Sequence, residues 1–566
     1  MSRAALRAES CGVVEGFYGP PWDDEDRRSI IAFLAELGLG LYVYAPKDDP
    51  YHRERWREPY PTDRRDALAS LVEFASSRGV AFAFAVSPGL SIRYSDPEDF
   101  AALERKVAEA RRLGVRTFAL FLDDIPPELV HEADRTAYAD LGAAHADLGN
   151  RLAARLAAGE RLLLCPTDYF GLGDSPRLRS LGAALRLDVP VFWTGSEVVP
   201  GRIERREADV FAAAIGRPPF LWDNYPVNDF RRTRLFLGPY EGREAALAGG
   251  LSGIVLNPMN EAECSKVAIA TFAEYLSDPE RYDPGAAWTR AMARLFPQLT
   301  QREAFTRFAR LSLRSVLRPD AAAPDASALE AAIDAPSAPA AARALGIANE
   351  CDGIARALRL LFRETRLFRE IAPYVDSLAA FAAAVPLAAN ALRLSDRDAG
   401  AAIDAIRAAL RHRAELGDPH FERFLRRAWA RLDRDRGRAH PVPETNLSAE
   451  RGRLAERAVD DDPETNFWSR APQRAGDHFT IDWGFPVAAA SIRLLQAEEK
   501  RPEEYARAAV LEVAGEGEAW SVVARVDSRE TEVALGGKRI RRARLRIVED
   551  SPHGLLIRVF RVLSAI

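Results

Sequence analysis

The sequence predicts a multidomain chain: a (β/α)8 TIM barrel over residues 1–290, an α-helical bundle over 291–440 and a β-sandwich over 441–566. Three observations predict it. Short apolar runs alternate eight times with helical stretches in the first segment, and repeated strand-then-helix order implies a parallel sheet of barrel size. Polar residues crowd the C-terminal ends of seven of these runs, the rim on which barrels carry their sites. The texture then changes twice, first to three-to-four apolar spacing and then to short alternating runs.

The elements follow in order. CGVVEGFY (11–18) reads as a strand. The helix after it, over 24–37, is capped by Asp23 or Asp24, filled with acids in its first turn and ended by Gly38. LYVYAPK (41–47) is the second strand, followed by a helix over 63–78. VAFAFAVSP (80–88) precedes a charged helix over 97–112. TFALFLDDIP (117–126) is a buried strand ending in Asp123 and Asp124, with an Ala-rich helix over 134–158 behind it. RLLLCPTDY (161–169), VFWTG (191–195), FLWDNY (220–225) and GIVLNPMN (253–260) each follow a helical stretch. EAECSKVAIATFAEYL (261–276) closes the series. A doubly wound open sheet is the alternative, weakened because no GxGxxG follows the first strand.

Composition excludes several classes. The chain has 566 residues, 48% hydrophobic and 28% charged, with 78 basic against 83 acidic side chains and a net charge of −5. Nothing there favours nucleic acid or an anionic membrane as partner. Cys11, Cys165, Cys264 and Cys351 are far apart, so free thiols in a reducing compartment are expected. The N-terminus lacks the apolar core of a signal peptide, and the expected location is cytoplasmic. Residues 377–392 are the best membrane candidate, but they are short, mostly Ala and interrupted by Pro386. A buried helix is the reading there.

An Asp-Asp pair taken alone reads as one helix cap and one solvated acid. Its company overturns that: Glu15–Gly16, Lys47–Asp48, Asp168–Tyr169, Trp193–Thr194, Trp222–Asp223–Asn224 and Asn257 fall on the same rim. There is no GxSxG, no phosphate loop and no metal-ligand spacing. Of the histidines only His52 lies near a strand end, so neither metal nor cofactor is expected. Carboxylates and amides with Trp and Tyr suit a sugar, whose ring has an apolar face and polar edges. Two carboxylates are the usual apparatus of glycoside hydrolysis, but ordinary pairs flank the scissile bond ~5–9 Å apart. Neighbouring acids better serve one edge of the sugar. One would orient a 2-acetamido group that acts as nucleophile, the other would protonate the leaving oxygen, and like charge would help keep one of them protonated.

GVVEGFYGPPW, YVYAPKDDPYHRERWREPYP, FALFLDDIP, CPTDY, FWTG, WDNYPVND and LNPMNEAECSKVAIATFAEYL together resemble glycoside hydrolase family 84, from about Cys11 to Leu276. That family holds β-N-acetylglucosaminidases, including protein O-GlcNAcases. The resemblance implies a retaining enzyme acting through an oxazoline on a β-GlcNAc-bearing protein or glycan. It implies that Asp123 polarises the acetamido group and that Asp124 is general acid, then base. Gly16 would touch the sugar through its backbone, and Lys47 through its ammonium. Tyr169 would bond near the anomeric centre, and Trp222 would wall the acetamido pocket. Asn224 would bond near the reacting oxygen, while Asp229 and Asn257 would hold hydroxyls. Against these stand plainer readings: Gly16 as a turn glycine, Lys47 paired with Asp48 or Asp49, and Tyr169, Trp222 and Trp193 as packing. Asp48, Asp49, Asp168 and Asp223 are read as structural. The rival functions are a hexosaminidase for cell-wall or hyaluronan fragments and a non-catalytic carbohydrate-binding protein.

Beyond the barrel, 304–317 and 355–385 carry amphipathic helix spacing, and 319–340 reads as a mobile connection. This helical region would frame a peptide groove or support a homodimer. AVDDDPETNFWSRAPQRAGDHFTIDWGF and the short strands after it resemble a discoidin-type β-sandwich.

Overall fold

A computed structural model describes residues 6–319, 326–394, 399–417, 420–450, 453–460, 462–499 and 501–564. The eight apolar runs form eight parallel strands: β1 (Cys11–Glu15), β2 (Leu41–Tyr44), β3 (Ala81–Val86), β4 (Thr117–Phe121), β5 (Arg161–Cys165), β6 (Phe192–Trp193), β7 (Phe220–Asp223) and β8 (Gly253–Leu256). Their order is β5-β4-β3-β2-β1-β8-β7-β6, and a single parallel bridge between Leu164 and Val191 brings the two edges together. The result is a nearly closed barrel wrapped by helices.

Both faces of these strands are covered, which is why they read as continuous apolar runs rather than alternating ones. The barrel interior is uneven. Ala83, Ala85 and Ala119 leave small side chains on β3 and β4, while Phe121, Phe192, Phe220 and Trp222 form an aromatic cluster. The Phe192 and Phe220 rings lie 4.9 Å apart and those of Phe121 and Trp222 5.1 Å apart. Asp23 caps the first helix, Asp24–Glu36, by accepting from the Asp26 N–H at 2.8 Å.

Five stretches differ from expectation: the helix read over 304–317 ends at Arg310, the one over 355–385 is broken between Phe362 and Arg366, and three others depart further. The helix expected over 134–158 is two helices, Glu132–Ala137 and Leu141–Ala153. Tyr138 is extended, and Asp140 caps the second helix through the Ala143 N–H at 2.8 Å. No α-helix joins β7 to β8; two short 3-10 turns stand there, in a segment punctuated by Pro226, Gly238, Pro239, Gly242 and Gly249. Proline removes a donor and glycine adds chain entropy, so the segment cannot hold a helix. Within 319–340, residues 320–325 lie outside the described residues, and Ala326–Asp334 and the start of Ala338–Phe362 are helical rather than a loose connection.

The chain divides into two compact units, Met1–Ala322 with Ala357–Ala372, and Ala323–Arg356 with Pro373–Ile566. In the first unit, the Phe296 ring lies 4.6 Å from Phe305 and 5.6 Å from Phe362, which ties the returning segment to the helices after the barrel. The apolar stretch at 377–392 sits inside a 29-residue helix, Arg366–Leu394, which runs through Pro373 and Pro386. That helix is long and apolar enough to cross a membrane by length and composition, and 56% of its most apolar window is buried within the chain.

The second unit carries helices through His420–Asp435 and then an antiparallel sheet. Its strands are β9 (Val442–Thr445), β10 (Phe467–Ser469), β11 (His478–Gln496), β12 (Ala509–Ala514), β13 (Ser521–Val526), β14 (Glu530–Ile547) and β15 (Leu555–Ser564). All seven belong to one hydrogen-bonded sheet, ordered β10-β15-β11-β14-β12-β13 with β9 on β11. All four cysteines are buried, and none of them forms a disulfide.

Candidate active site

Strand β4 and the turn after it place the two adjacent acids differently. Pairing with β5 extends to Leu122, whose N–H bonds the Cys165 carbonyl at 2.8 Å. Asp123 therefore still lies within the barrel mouth, only 5% exposed. Asp124 then takes φ +53°. This left-handed conformation costs a non-glycine residue on the order of 1 kcal/mol and is best tolerated by Asp and Asn. It turns the Asp124 carboxyl outward, where it is exposed.

Asp123 is ion-paired through Oδ2 with Lys47, from the end of β2. Its Oδ1 is buried and accepts no hydrogen bond. Burial pushes the Asp123 carboxyl up, but Lys47 in contact and Arg53 nearby outweigh burial and hold it below the ordinary carboxylate range. Burial likewise opposes the charge on Lys47, and Asp123 overcomes it. The lysine charge thus replaces proton sharing between neighbours as the dominant electrostatic effect on Asp123.

Both Asp124 oxygens accept from phenols: Oδ2 from Tyr18 at 2.7 Å and Oδ1 from Tyr169 at 2.9 Å. Burial and the Asp124 charge raise the Tyr169 hydroxyl far above its usual range. Burial raises that of Tyr18 as well, with Lys47 opposing. Both phenols therefore stay protonated and donate.

The remaining expected residues connect to this centre. Lys47 Nζ lies 5.9 Å from the Trp222 ring centroid. Trp222 Nε1 donates to Asn224 Oδ1 at 3.0 Å, and Asn257 Nδ2 donates to the same oxygen at 2.9 Å. Asn224 Nδ2 in turn donates to the Val198 carbonyl at 2.7 Å. Asn257 Oδ1 is a second buried oxygen that accepts no hydrogen bond. Asp229 accepts the Tyr18 N–H at 2.9 Å. Gly16 is there because Trp222 packs against it: a Cβ would lie 2.3 Å from the indole Cζ2. Its φ is not left-handed, so the close approach of Trp222, rather than backbone conformation, calls for glycine here. Lys47 pairs with Asp123 instead of Asp48 or Asp49.

Asp48 is exposed, and four other acids on the rim, Glu15, Asp49, Asp168 and Asp223, are closed. Asp49 accepts from the Tyr44 and Tyr60 hydroxyls, Asp168 from Arg177 and Ser175, and Asp223 from Arg243 and Tyr240. Glu15 accepts from the Trp22 N–H, Arg27 and Tyr42. Trp193 is fully buried and donates to the Gly171 carbonyl at 3.0 Å, so it packs. His52 is buried with Nδ1 on the Ala85 carbonyl, and burial pushes its pKa down to about 4. Among the described residues, no group of three or more His, Cys, Asp or Glu side chains is placed to hold a metal ion.

Sequence reasoning missed Tyr18, Arg53 and Asn260. Tyr18 sits two residues after Gly16 in GVVEGFYGPPW, and Arg53 lies in YHRERW. Asn260 Nδ2 donates to the Tyr18 and Pro20 carbonyls at 3.2 and 3.0 Å. With Asp229 on the Tyr18 N–H, the loop after β1 is held from both sides.

The profile of a family described as beta-N-acetylglucosaminidase matches residues 11–310. The protein O-GlcNAcases of Rattus norvegicus and Mus musculus are each 39% identical over 271 residues, 47% of this chain and 30% of the relative. The chain thus spans 30% of the length of these curated relatives. A solved structure of a mutant O-GlcNAc hydrolase from Thermobaculum terrenum is similar at a TM-score of 0.68 and 30% identity, covering 76% of this chain and 95% of that one.

Proposed function

The chain belongs to the beta-N-acetylglucosaminidase family, and from that premise we propose that it is a retaining β-N-acetylglucosaminidase of the O-GlcNAcase type. It would release terminal β-linked GlcNAc from proteins or glycans by substrate-assisted catalysis through an oxazoline. The relatives named as protein O-GlcNAcases support the sugar and favour a glycoprotein.

One observation carries the mechanism: Asp123 is a buried carboxylate with one oxygen neutralised by Lys47 and the other open. Buried polar atoms are nearly always hydrogen-bonded, so an open one at a site calls for a donor. An acetamido N–H is such a donor. Accepting it would raise electron density on the acetamido carbonyl oxygen, which would then attack the anomeric carbon. The positive charge developing on the oxazoline would rest against the Asp123 carboxylate. Asp124, exposed and bonded by Tyr18 and Tyr169, would give its proton to the leaving oxygen and later take one from water. The Asn257 oxygen, also open, would accept from a sugar hydroxyl. Trp222, packed under Lys47 and against Gly16, would wall the pocket.

For the C-terminal unit we retain a discoidin-like sandwich. Strands β11 and β14 run 19 and 18 residues with register shifts near Val487 and Ala489. Strands bent at bulges let one sheet fold over its own core.

The test is hydrolysis of an aryl β-N-acetylglucosaminide beside the matching aryl β-glucoside. Cleavage of the acetamido substrate alone is expected. Equal cleavage of the glucoside would mean that an enzyme carboxylate is the nucleophile. Cleavage of neither would favour a binding protein.

A further inference from the structure

Behind the exposed acid lies a short chain of contacts with a cation at its far end. Arg53 Nη1 donates to the Tyr18 hydroxyl at 3.1 Å, and that hydroxyl donates to Asp124 Oδ2 at 2.7 Å. The guanidinium also lies 5.6 Å from the Tyr18 ring centroid. Arg53 is 7% exposed, so its charge is poorly screened. Its backbone is fixed by bonding to the Pro50 carbonyl, and the Tyr18 loop is held by Asp229 and Asn260.

The other phenol has no such support. Among the described residues, the Tyr169 hydroxyl bonds only Asp124 Oδ1, at 2.9 Å. The two Asp124 oxygens are therefore unequal. A phenol that accepts from a guanidinium is polarised and committed as a donor, so Tyr18 keeps Oδ2 as an acceptor. The Tyr169 hydroxyl is free to rotate and accept instead.

We infer that Arg53 is a positioning residue that acts through Tyr18 to make Oδ1, on the Tyr169 side, the oxygen of Asp124 that carries the catalytic proton. This rests on Asp124 being the acid–base group proposed above. In the first step the proton would leave Oδ1 for the departing oxygen as the glycosidic bond breaks and the acetamido oxygen bonds the anomeric carbon. In the second, water would lose a proton to Oδ1 as its oxygen opens the oxazoline. Tyr18 and Arg53 keep their protons throughout.

Arg53 also bears on the neighbouring carboxyl. The groups facing the two acids are Lys47, His52 and Arg53 from after β2, Tyr18 from after β1, and Cys165 and Tyr169 from the end of β5. Of these, Lys47 and Arg53 are the cations that hold Asp123 ionised against burial. Removing Arg53 must therefore raise the pH at which Asp123 takes up its proton.

The experiment uses Arg53→Gln, Tyr18→Phe and their double variant on two β-N-acetylglucosaminides, one with an activated aryl leaving group and one with a poor one. Each single variant is expected to lose on the order of tenfold in kcat/KM on the poor leaving group, a share of a full general-acid effect, and several-fold less on the activated one. The double variant should be no worse than the weaker single one. In Arg53→Gln and the double variant, but not in Tyr18→Phe, the acidic limb of kcat/KM should move to higher pH, and Arg53→Lys should restore it. Equal losses on both leaving groups, or additive losses, would overturn the inference. Should Arg53→Gln fail to fold, Tyr18→Phe, which removes one hydroxyl, decides by its leaving-group dependence. Asp124→Ala on the same substrates separates the two levels. If it too shows no leaving-group dependence, the acid assignment has failed; if it does while Arg53→Gln and Tyr18→Phe do not, only the role of Arg53 has.

Discussion

Two buried ion pairs stand at the C-terminal ends of barrel strands, one after β4 and one at the end of β7, and they differ in one oxygen. In the Arg243–Asp223 pair the side chains are 1% and 0% exposed. Arg243 binds both Asp223 oxygens, and Tyr240 adds a hydrogen bond at 2.7 Å. In the Lys47–Asp123 pair the side chains are 2% and 6% exposed, but Lys47 takes only Oδ2 and Oδ1 is open. The guanidinium fork closes a carboxylate; the ammonium, a point charge, does not. Closed, the pair is framework. Open, it is a charged acceptor held in a dry site, which is what an acetamido N–H would need. Position on the rim does not separate the two, since both acids end apolar strands.

Breaking the open side should be felt in turnover. Asp124→Ala is expected to lose on the order of 10²–10⁴-fold in kcat/KM with a poor leaving group and far less with an activated aryl one. Asp123→Asn should lose about 10²–10³-fold with both, because it acts on the internal nucleophile. Steady-state kinetics on the two substrates check both; unchanged turnover in Asp123→Asn would remove its role.

Breaking the closed side should be felt in stability. Arg243→Met leaves Asp223 buried without its cation and is expected to cost about 3–5 kcal/mol. Denaturant unfolding would show it as a lower midpoint. A loss under about 1 kcal/mol, the worth of an exposed pair, would show that burial of this pair counts for little.

Glu370 sharpens the contrast as a carboxyl closed without a cation. Its two oxygens accept the Glu263 and Cys264 N–H groups at 2.9 Å each, at the start of the helix Ala262–Ser277. Burial dominates, and its pKa is pushed up to about 8. Between the ordinary Glu value, 4.5, and about 8 the folded state holds a proton that the unfolded state lacks. Stability should therefore fall as pH rises through that window, by at most about 1.4 kcal/mol per unit. Thermal melts at several pH values should show a shallower decline in Glu370→Gln; identical slopes would contradict this.

Much of this was legible in the sequence. The eight strands announced themselves because both faces are buried. The rim residues Lys47, Asp123, Asp124, Tyr169, Trp222, Asn224, Asp229 and Asn257 stood at or past the ends of those strands. What was not legible depends on partners far apart in the chain. That Asp223 meets Arg243 while Asp123 meets Lys47 follows from barrel closure, not from the local LFLDD and LWDN strings. Tyr18 reaches Asp124 across 106 positions, and Arg53 reaches Tyr18 across 35. A tyrosine or arginine in a loop has no periodicity to mark it. The split at Tyr138 and the missing helix before β8 turn on local capping and Pro/Gly punctuation, which an Ala-rich or apolar average hides.

The most direct measurement is the shift in thermal midpoint produced by excess GlcNAc, with glucose as control, in the native protein, Asp123→Asn and Asp223→Asn. A ligand that binds only the folded state raises the midpoint. GlcNAc but not glucose should stabilise the native protein. Asp223→Asn should start from a lower midpoint yet keep the response, and Asp123→Asn should lose it. A full GlcNAc response in Asp123→Asn would contradict the assignment of its open oxygen to the acetamido group.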